Sequence, residues 1–173
     1  MIIRAALPED IPQIVAIEQI PEYRVCIGTW SADEHVRAMA DPDNEYFVAC
    51  GEGGAVEGFV ILQGIHSEHR SLHLKRIAVG VPGRGCGKEL LDYAMSRVFL
   101  HHHAHRFWLD VFETNTRARR IYESCGFRHD GVLREAILRD GAFHTLALMS
   151  LLDREYSARQ QHDAPMVTTD ARP

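Results

Sequence analysis

The stretch that decides the fold runs from Asn115 to Phe127 and reads Asn-Thr-Arg-Ala-Arg-Arg-Ile-Tyr-Glu-Ser-Cys-Gly-Phe. Its apolar positions recur at three- and four-residue spacing, which predicts one face of a helix. These positions are Ala118, Ile121, Tyr122 and Cys125. Asn115 fits the N-cap of that helix, and Gly126 fits its stop. Considered alone, Tyr122 on such a face is more often a core tyrosine than a proton donor.

A predicted strand at 72–79 lies upstream and has an irregular alternation of apolar residues. Leu72 and Leu74 are apolar at even positions, whereas Ile77 and Val79 are apolar at odd positions. A β-bulge would produce this shift of parity, and a strand buried on both faces would explain it equally well. If the bulge exists, backbone N–H groups there leave the strand ladder and can point at a ligand.

A glycine-rich loop follows this strand and runs from Pro82 to Lys88, ahead of a predicted helix. Glycines allow the backbone to approach a ligand closely, and a helix N-terminus binds phosphate through its free N–H groups and its dipole. The loop fails the Walker A pattern at Pro82 and Glu89, and it fails both dinucleotide registers at Lys88 and Leu90. It nevertheless favours a polyphosphate site over a plain strand-to-helix turn.

The rest of the chain predicts strands and helices in alternation, with a loop at 20–30. Further strands are predicted at 2–6, 45–51, 56–63, 106–112, 131–138 and 143–152. Further helices are predicted after Leu7, after a capping box at Ser31, and from Leu90. Antiparallel hairpins come first and β-α-β units follow, which predicts an α/β or α+β domain with helices on its sheet. The polar residues 153–173 are predicted to be a disordered tail.

Composition narrows the classes of function. The 173 residues include 19 Lys and Arg against 24 Asp and Glu, which gives a formal net charge of −5. This balance argues against a nucleic-acid partner and slightly favours a cationic acceptor. The four cysteines show no paired spacing, no secretory signal is visible, and no apolar run approaches the ~20 residues of a membrane span. We therefore expect a reduced cytoplasmic protein that does not bind a membrane.

Together, the loop and the later helix resemble the motifs of the GNAT acetyltransferases (GCN5-related N-acetyltransferases), over roughly residues 1–152. The acetyl-CoA loop of that family, Q/R-x-x-G-x-G/A, matches at Gly85 and Gly87 and has Pro82 at its first position. The later pattern N-x-x-A-x-x-x-Y-x-x-x-G-F matches at five positions: Asn115, Ala118, Tyr122, Gly126 and Phe127.

The C-terminal pattern from Gly131 to Ser150 resembles the RimJ/RimL-like branch, many members of which have an acid where this chain has Thr145. The resemblance implies a GNAT fold across 1–152. Its central sheet would be mixed but mostly antiparallel, with about seven strands and with helices on both faces. Parallel strands at 72–79 and 106–112 would splay apart.

The resemblance also implies acetyl-CoA as cosubstrate, with its pantetheine between those two strands. Backbone groups of Ile77 to Val79 would bind the pantetheine and polarise the thioester carbonyl, and backbone amides from Arg84 to Lys88 would hold the pyrophosphate. The implied cofactor-binding residues are Ile77, Ala78, Val79, Arg84, Gly85, Cys86, Gly87, Lys88 and Asn115. Tyr122 would be the catalytic acid that protonates the leaving thiolate.

The implied reaction is N-acetyl transfer to a primary amine by direct attack on the thioester, with no metal. His73 and Glu135 are candidate bases, and an exposed strand side chain and a surface ion pair are their plainer roles. Tyr23 and Trp30 would wall the acceptor pocket or fill the core. The acceptor stays open among a protein N-terminus, a lysine, a polyamine and an aminoglycoside-like molecule.

Two rival functions remain open on the sequence. One is a non-catalytic CoA-binding regulatory module with the same fold, and the other is a binder of a different nucleotide phosphate. The family commonly forms homodimers, although the sequence identifies no interface. The histidine-rich run at 101–105 invites a metal site, but it fits a helix end better because cationic groups suit the negative end of the dipole.

Overall fold

The computed structural model describes residues 1–24 and 26–163, and within them the chain forms seven strands and six α-helices. The strands are β1 (Ile2–Ala5), β2 (Asn44–Cys50), β3 (Val56–Gln63), β4 (Ser71–Val79), β5 (Arg106–Phe112), β6 (Arg128–Arg139) and β7 (Ala142–Leu152). The helices are α1 (Ile11–Glu18), α2 (Pro21–Arg24), α3 (Ala32–Ala40), α4 (Cys86–Ser96), α5 (Thr116–Ser124) and α6 (Asp153–Asp163).

All seven strands join one sheet in the order β1-β2-β3-β4-β5-β7-β6. Strands β4 and β5 are parallel, and every other neighbouring pair is antiparallel. The β2–β3 hairpin turns through Gly53 and Gly54, both with positive φ, as the glycine pair predicts. The predicted α/β class and the mixed, mostly antiparallel sheet are confirmed.

A β-bulge interrupts β4. The register of β4 against β3 shifts at Lys75, so that Arg76 lies opposite Ile61 whereas Leu74 lies opposite Leu62. This shift returns the apolar side chains before and after it to one face of the sheet. The bulge therefore explains the change of parity in the sequence, and β4 also has buried side chains on both faces of the sheet, with Leu74 on one and Ala78 on the other.

Strands β4 and β5 pair over a short distance and then separate. Their ladder joins Ser71–His73 to Arg106–Trp108, and no further β4–β5 pairs follow in the parts of the chain that the structure describes. The C-terminal half of β4 keeps its partner β3 but has an open edge toward β5. The splay predicted for these two strands is confirmed.

The two faces of the sheet differ in what covers them. One, here called the α4 face, packs α4 and α6 against apolar side chains of the central strands, including Leu72, Leu74, Phe107 and Leu109. The other, here called the α1 face, packs α1 against β2 and β3 through residues such as Ile14 and Phe59. Helix α5 adds Ala118 and Tyr122 to the border of the first core.

Two local predictions need correction. The predicted loop at 20–30 contains one helical turn, α2. The predicted disordered tail begins with a helix, α6, because Tyr156 packs into the core and stacks on Phe99 with ring centroids 4.8 Å apart. The sequence did not predict this helix because Tyr156 is its one large apolar residue in a polar segment. The remainder of the predicted tail, 164–173, lies outside the described residues.

Candidate active site

The open edge of β4 presents backbone groups to the splay. The Gly80 N–H donates to the Glu57 carbonyl of β3 at 2.7 Å, and backbone groups of an antiparallel strand alternate in direction. Ala78 therefore points its backbone groups toward β3, as Gly80 does. The backbone N–H and C=O of Ile77 and Val79 point toward β5 instead. Of the three predicted pantetheine contacts, this alternation favours Ile77 and Val79 over Ala78.

A tyrosine from α2 occupies part of this edge. The Tyr23 hydroxyl donates to the Val79 carbonyl at 2.8 Å and accepts from the Val79 N–H at 3.4 Å. Burial raises the pKa of Tyr23, so the hydroxyl stays protonated at neutral pH and can donate. Tyr23 thus contacts the edge of β4 directly. The sequence suggests instead that it lines the wall of an acceptor pocket or fills the core.

The glycine-rich loop turns directly from β4 into α4. Gly83 and Gly85 adopt left-handed φ values of 90° and 85°, which side chains other than glycine rarely tolerate. A Cβ added to Gly83 would meet nothing within 4 Å among the described residues, so the loop is open on that side. The first N–H groups of α4, at Cys86 and Gly87, have no intrahelical acceptor and can bind an anion.

The side chains of the loop are either exposed, paired with a charge of the protein, or buried. Arg84 is exposed, and the Lys88 ammonium is held 2.6 Å from the Asp92 carboxylate one turn later, which raises the pKa of Lys88. Cys86 is buried under the loop. Burial, with Glu57 and Glu89 nearby, raises the pKa of Cys86 to about 11. Cys86 is therefore a protonated thiol at neutral pH and a poor nucleophile.

Helix α5 places Asn115 and Tyr122 as the sequence predicts. The Asn115 side chain caps the helix by accepting from the Ala118 N–H at 3.1 Å. Tyr122 packs on the border of the core, with its ring centroid 5.9 Å from that of Phe127. Burial and the nearby negative charge of Asp110 raise the pKa of Tyr122. The phenol is thus held in its protonated form.

The three predicted acceptor-side residues lie apart from one another along the sheet. His73 lies at the paired end of β4, stacked on Trp108 at 3.9 Å between centroids and 3.2 Å from an Asp110 carboxylate oxygen. Glu135 is exposed in the bulge of β6, where its N–H donates to the Thr145 hydroxyl at 3.3 Å. Trp30 packs on the α1 face, and no contact joins it to the other two candidates in the described part of the chain.

A buried charged cluster on the α1 face went unassigned in the sequence. Glu18 is fully buried, lies 2.6 Å from the Arg76 guanidinium and 3.3 Å from His35, and accepts from the Trp30 N–H at 2.9 Å. The Arg76 guanidinium in turn lies 4.0 Å from the centroid of the Trp30 ring. The sequence signal that Glu18 is buried is its position on the apolar face of α1, in line with residues such as Ile11 and Ile14.

Arg139, in the last position of β6, joins the edge of this cluster. Its guanidinium lies 5.0 Å from the centre of the Phe112 ring at the end of β5 and approaches Gly28, beside Arg76. The hairpin of β6 and β7 brings it there. No sequence signal marks Arg139, because it precedes a turn where an exposed arginine is ordinary.

Comparison with known proteins gives this architecture a family. The profile described as "Acetyltransferase (GNAT) family" matches residues 12–127, which is more than half of the chain. The chain belongs to the GNAT family. The match spans the splayed strands, the glycine-rich loop and α5, so the resemblance carried by the two sequence motifs is confirmed at the level of the superfamily.

Two curated relatives of this GNAT protein have named activities. Spermidine N(1)-acetyltransferase of Vibrio cholerae is 30% identical over 105 residues, which are 60% of this chain and 61% of the relative. The alignment therefore spans less than two thirds of that protein. N-alpha-acetyltransferase of Sulfurisphaera tokodaii is 28% identical over 133 residues, 76% of this chain and 73% of the relative.

A solved structure agrees with the fold of this GNAT chain. A chimera of spermidine N-acetyltransferase SpeG from Vibrio cholerae and hSSAT superposes with a TM-score of 0.80 at 25% identity, and the match covers 92% of this chain and all of that chain (100%). The family and the named relatives support acetyl transfer to an amine, as the motifs predict. They do not favour the non-catalytic CoA-binding module.

Among residues 1–24 and 26–163, no group of three or more His, Cys, Asp and Glu side chains is placed to hold a metal ion. His102 of the histidine-rich run lies 3.0 Å from the Glu45 carboxylate instead. None of the helices in the described ranges is long and apolar enough to cross a membrane.

Proposed function

We propose that this GNAT protein transfers the acetyl group of acetyl-CoA to a primary amine, which attacks the thioester directly. The observation that carries the proposal is the opening between β4 and β5, bordered by the open backbone edge at Ile77 and Val79 and by the N-terminus of α4. Tyr122 lies on the helix that follows β5. Family membership and two relatives named as N-acetyltransferases support the same reaction.

The residues present fit acetyl-CoA. The amides from Arg84 to Lys88 at the start of α4 would hold the pyrophosphate, since Gly83 and Gly85 keep that side of the loop free of Cβ atoms. Backbone groups of Ile77 and Val79 would hold the pantetheine in the splay. Asn115 uses its side-chain oxygen as the N-cap of α5, which leaves its NH₂ group to contact the cofactor arm.

Acetyl-CoA supplies an acetyl group activated as a thioester. A backbone N–H at the open edge of β4 would stabilise negative charge that develops on the carbonyl oxygen. The amine nitrogen forms the new bond to the acetyl carbon as the carbon–sulfur bond breaks, and it loses one proton to a base, for which His73 and Glu135 are the candidates. Tyr122 would then give the proton of its hydroxyl to the sulfur, which is a role that a protonated phenol can fill.

For the acceptor side we propose candidate residues only, without assigning one base. His73, paired with Asp110, and Glu135 stay candidate bases, and Trp30 stays a candidate wall of the acceptor pocket. One relative is named for spermidine and the other as an N-alpha-acetyltransferase, so the acceptor of this chain stays open. Assignment to the RimJ/RimL-like branch, a homodimer, a cytoplasmic location and the absence of nucleic-acid, membrane and metal partners stay proposals.

The first test is thermal unfolding with acetyl-CoA, CoA, ATP and NAD, each at about 100 times a micromolar dissociation constant. Such a ligand stabilises by about 2.7 kcal/mol, and at this chain length each kcal/mol raises the midpoint by about 2–4 °C. A rise with acetyl-CoA and CoA alone is the expected result. A folded sample whose midpoint does not respond to acetyl-CoA would overturn the proposal.

The second test compares Tyr122→Phe with Tyr93→Phe in an assay of thiol release across pH. Tyr93 is also a tyrosine that borders the core of the α4 face, so it controls for loss of a hydroxyl at a similar place. We expect Tyr122→Phe to lower kcat by about 100-fold or more, as removal of a general acid does, and Tyr93→Phe to stay near wild type. Equal rates for both variants would remove Tyr122 from the proposed mechanism.

A further inference from the structure

Two arginines meet on the α1 face, at the side of the splay that lies opposite α4. A Cβ placed on Gly28 would lie 2.8 Å from an Arg76 guanidinium nitrogen and 3.5 Å from one of Arg139. Arg76 comes from β4 and Arg139 from the end of β6, two strands that β5 and β7 separate in the sheet. The guanidinium of Arg139 also faces Phe112, where β5 ends.

Only one of these two cations is neutralised. Arg76 has the Glu18 carboxylate at 2.6 Å. The Nη1 group of Arg139 is buried and has no hydrogen-bond partner among the described residues. A buried donor of a charged group that lacks a partner costs free energy, and a neighbouring like charge adds to that cost. The Nη1 group of Arg139 therefore needs a hydrogen-bond acceptor, and an anionic acceptor would also offset the charge of the two guanidinium groups.

Three carboxylates of this region already have partners. Glu18 binds Arg76 and the Trp30 N–H, Glu34 caps α3 through Ser31, and Asp110 pairs with His73. Lys75 adds another cation nearby, with its ammonium 5.8 Å from the centre of the Trp30 ring. Arg139 and Lys75 are thus two cations on this side of the splay that have no ion-pair partner among the described residues, although the chain as a whole has a net charge of −5.

We infer that the acceptor is a small amine that also carries a carboxylate, and that Arg139 binds this carboxylate beside Arg76. The inference rests on the proposed acetyl transfer and names the class of acceptor at the same site. A guanidinium offers a planar fork of donors that matches a carboxylate, whereas a polyamine would bring further positive charge to two arginines and a lysine. The unpaired Arg139 therefore argues for a carboxylated acceptor, whereas the whole-chain balance slightly favours a cationic one.

The test uses pairs of acceptors that differ only in the carboxylate. Lysine is compared with cadaverine, and γ-aminobutyrate with n-propylamine, in the thiol-release assay at saturating acetyl-CoA. We expect kcat/KM to be about 10- to 100-fold higher for the carboxylated member, the range that a hydrogen-bonded charge pair supplies. Arg139→Gln should abolish that preference, and Arg139→Lys should restore part of it.

Arg154→Gln is the matched control, because Arg154 is exposed on α6 and the substitution removes the same charge. It should leave both acceptors of each pair unchanged. The inference is overturned if the amine without the carboxylate reacts equally fast or faster. It is also overturned if Arg139→Gln lowers both members of a pair alike. In either result the proposed acetyl transfer would stand.

A binding measurement separates failure of the inference from failure of the function. Sodium acetate is added to CoA-saturated protein, with sodium chloride at equal ionic strength as reference. At ten times its dissociation constant, acetate should raise the unfolding midpoint by about 3–6 °C in the wild type and not in Arg139→Gln. No acetate-specific rise in CoA-bound protein overturns the inference even if no amine in the panel is acetylated. Failure of CoA itself to bind would count against the proposed function instead.

Discussion

The α4 face and the α1 face of the sheet use the same strands for different purposes. On the α4 face, side chains such as Leu72 and Phe107 pack against α4 with no charged group among the buried residues of that cluster. On the α1 face, Arg76 and Glu18 lie buried among Ile14 and its apolar neighbours. One strand, β4, contributes to both faces, and its bulge decides which side chain goes to which face.

This difference between the two faces separates the residues that stabilise the fold from those that hold groups in defined positions. Apolar burial is non-directional, so the α4 face gains stability from area and packing. Buried charges gain little net stability, but they fix the geometry of their neighbours because each must find a partner. The α1 face therefore holds groups in definite positions beside the splay, which is what a substrate-binding surface requires.

The largest stability change is expected for Glu18→Gln. The amide keeps the shape but leaves the Arg76 charge buried and uncompensated, so we expect a loss of about 3–5 kcal/mol in the free energy of unfolding. Urea denaturation measures it. Glu68→Gln, at an exposed loop position, is the matched control and should change little.

A double variant sharpens this prediction. Replacing Arg76 by Met in the Glu18→Gln background removes the orphaned charge, and we expect it to recover much of the lost stability. If Glu18→Gln alone loses less than about 1 kcal/mol, the α1 face would not depend on its buried ion pair. The contrast between the faces would then be wrong.

A slightly smaller loss is expected for Leu90→Ala on the α4 face. Leu90 is fully buried in α4, and truncation to alanine combines lost transfer free energy with a cavity, for a cost of about 2–5 kcal/mol. Because Leu90 lies on the α4 face and the charged cluster lies on the α1 face, the KM for the acceptor should stay unchanged. Urea denaturation and initial-rate kinetics test the two halves of this statement, and a raised acceptor KM would contradict the separation of roles.

Tyr23→Phe should have a modest effect on stability. It removes the two hydrogen bonds to Val79, for a loss of about 1 kcal/mol, since the freed backbone groups lie at the open edge and can bind water. Because the Tyr23 hydroxyl occupies groups assigned to pantetheine, acetyl-CoA binding should not weaken. Titration calorimetry decides this point, and a weaker affinity would make Tyr23 part of the cofactor site.

The smallest effect concerns pH. The His73 hydrogen bond lowers the pKa of Asp110 below its ordinary value of 3.8. A lowered carboxyl pKa stabilises the fold above the unfolded pKa, and that contribution is lost as the pH falls through the folded value. Asp110→Asn should therefore be slightly less stable than wild type at pH 6, and the difference should shrink toward pH 3. Midpoints of urea denaturation at pH 6 and at pH 3 measure this difference in stability. A difference that grows on acidification would contradict the prediction.

Local sequence patterns predicted much of the fold and several candidate site residues. The spacing from Asn115 to Cys125 gave α5 and its cap, and the change of parity between Leu74 and Ile77 left a bulge as one of two explanations. Both signals are local, because capping and strand alternation depend on neighbours within a few residues. The roles assigned to Tyr122 and to the backbone of Ile77 and Val79 remain predictions for the experiments above.

Other features depended on contacts between distant parts of the chain. Tyr23 and Val79 are 56 positions apart, and Glu18 and Arg76 are 58 apart. A buried carboxylate is distinguished from an exposed one by its partner, and no local pattern identifies that partner. The helical start of the predicted tail was missed for a similar reason, since Tyr156 is the apolar residue that packs α6 into the core in an otherwise polar segment.

The sequence by itself determined the order of the seven strands and of four α-helices, the glycine-rich turn into α4, and membership of the GNAT family through two motifs of fixed spacing. These properties follow from backbone conformation and hydrophobic periodicity, which act over short stretches of chain. Only the tertiary structure decided that Arg76 has a counter-ion and that Arg139 lacks one in the described chain. Whether a charge is balanced depends on which distant groups the fold brings within a few ångströms, and composition averages that information away.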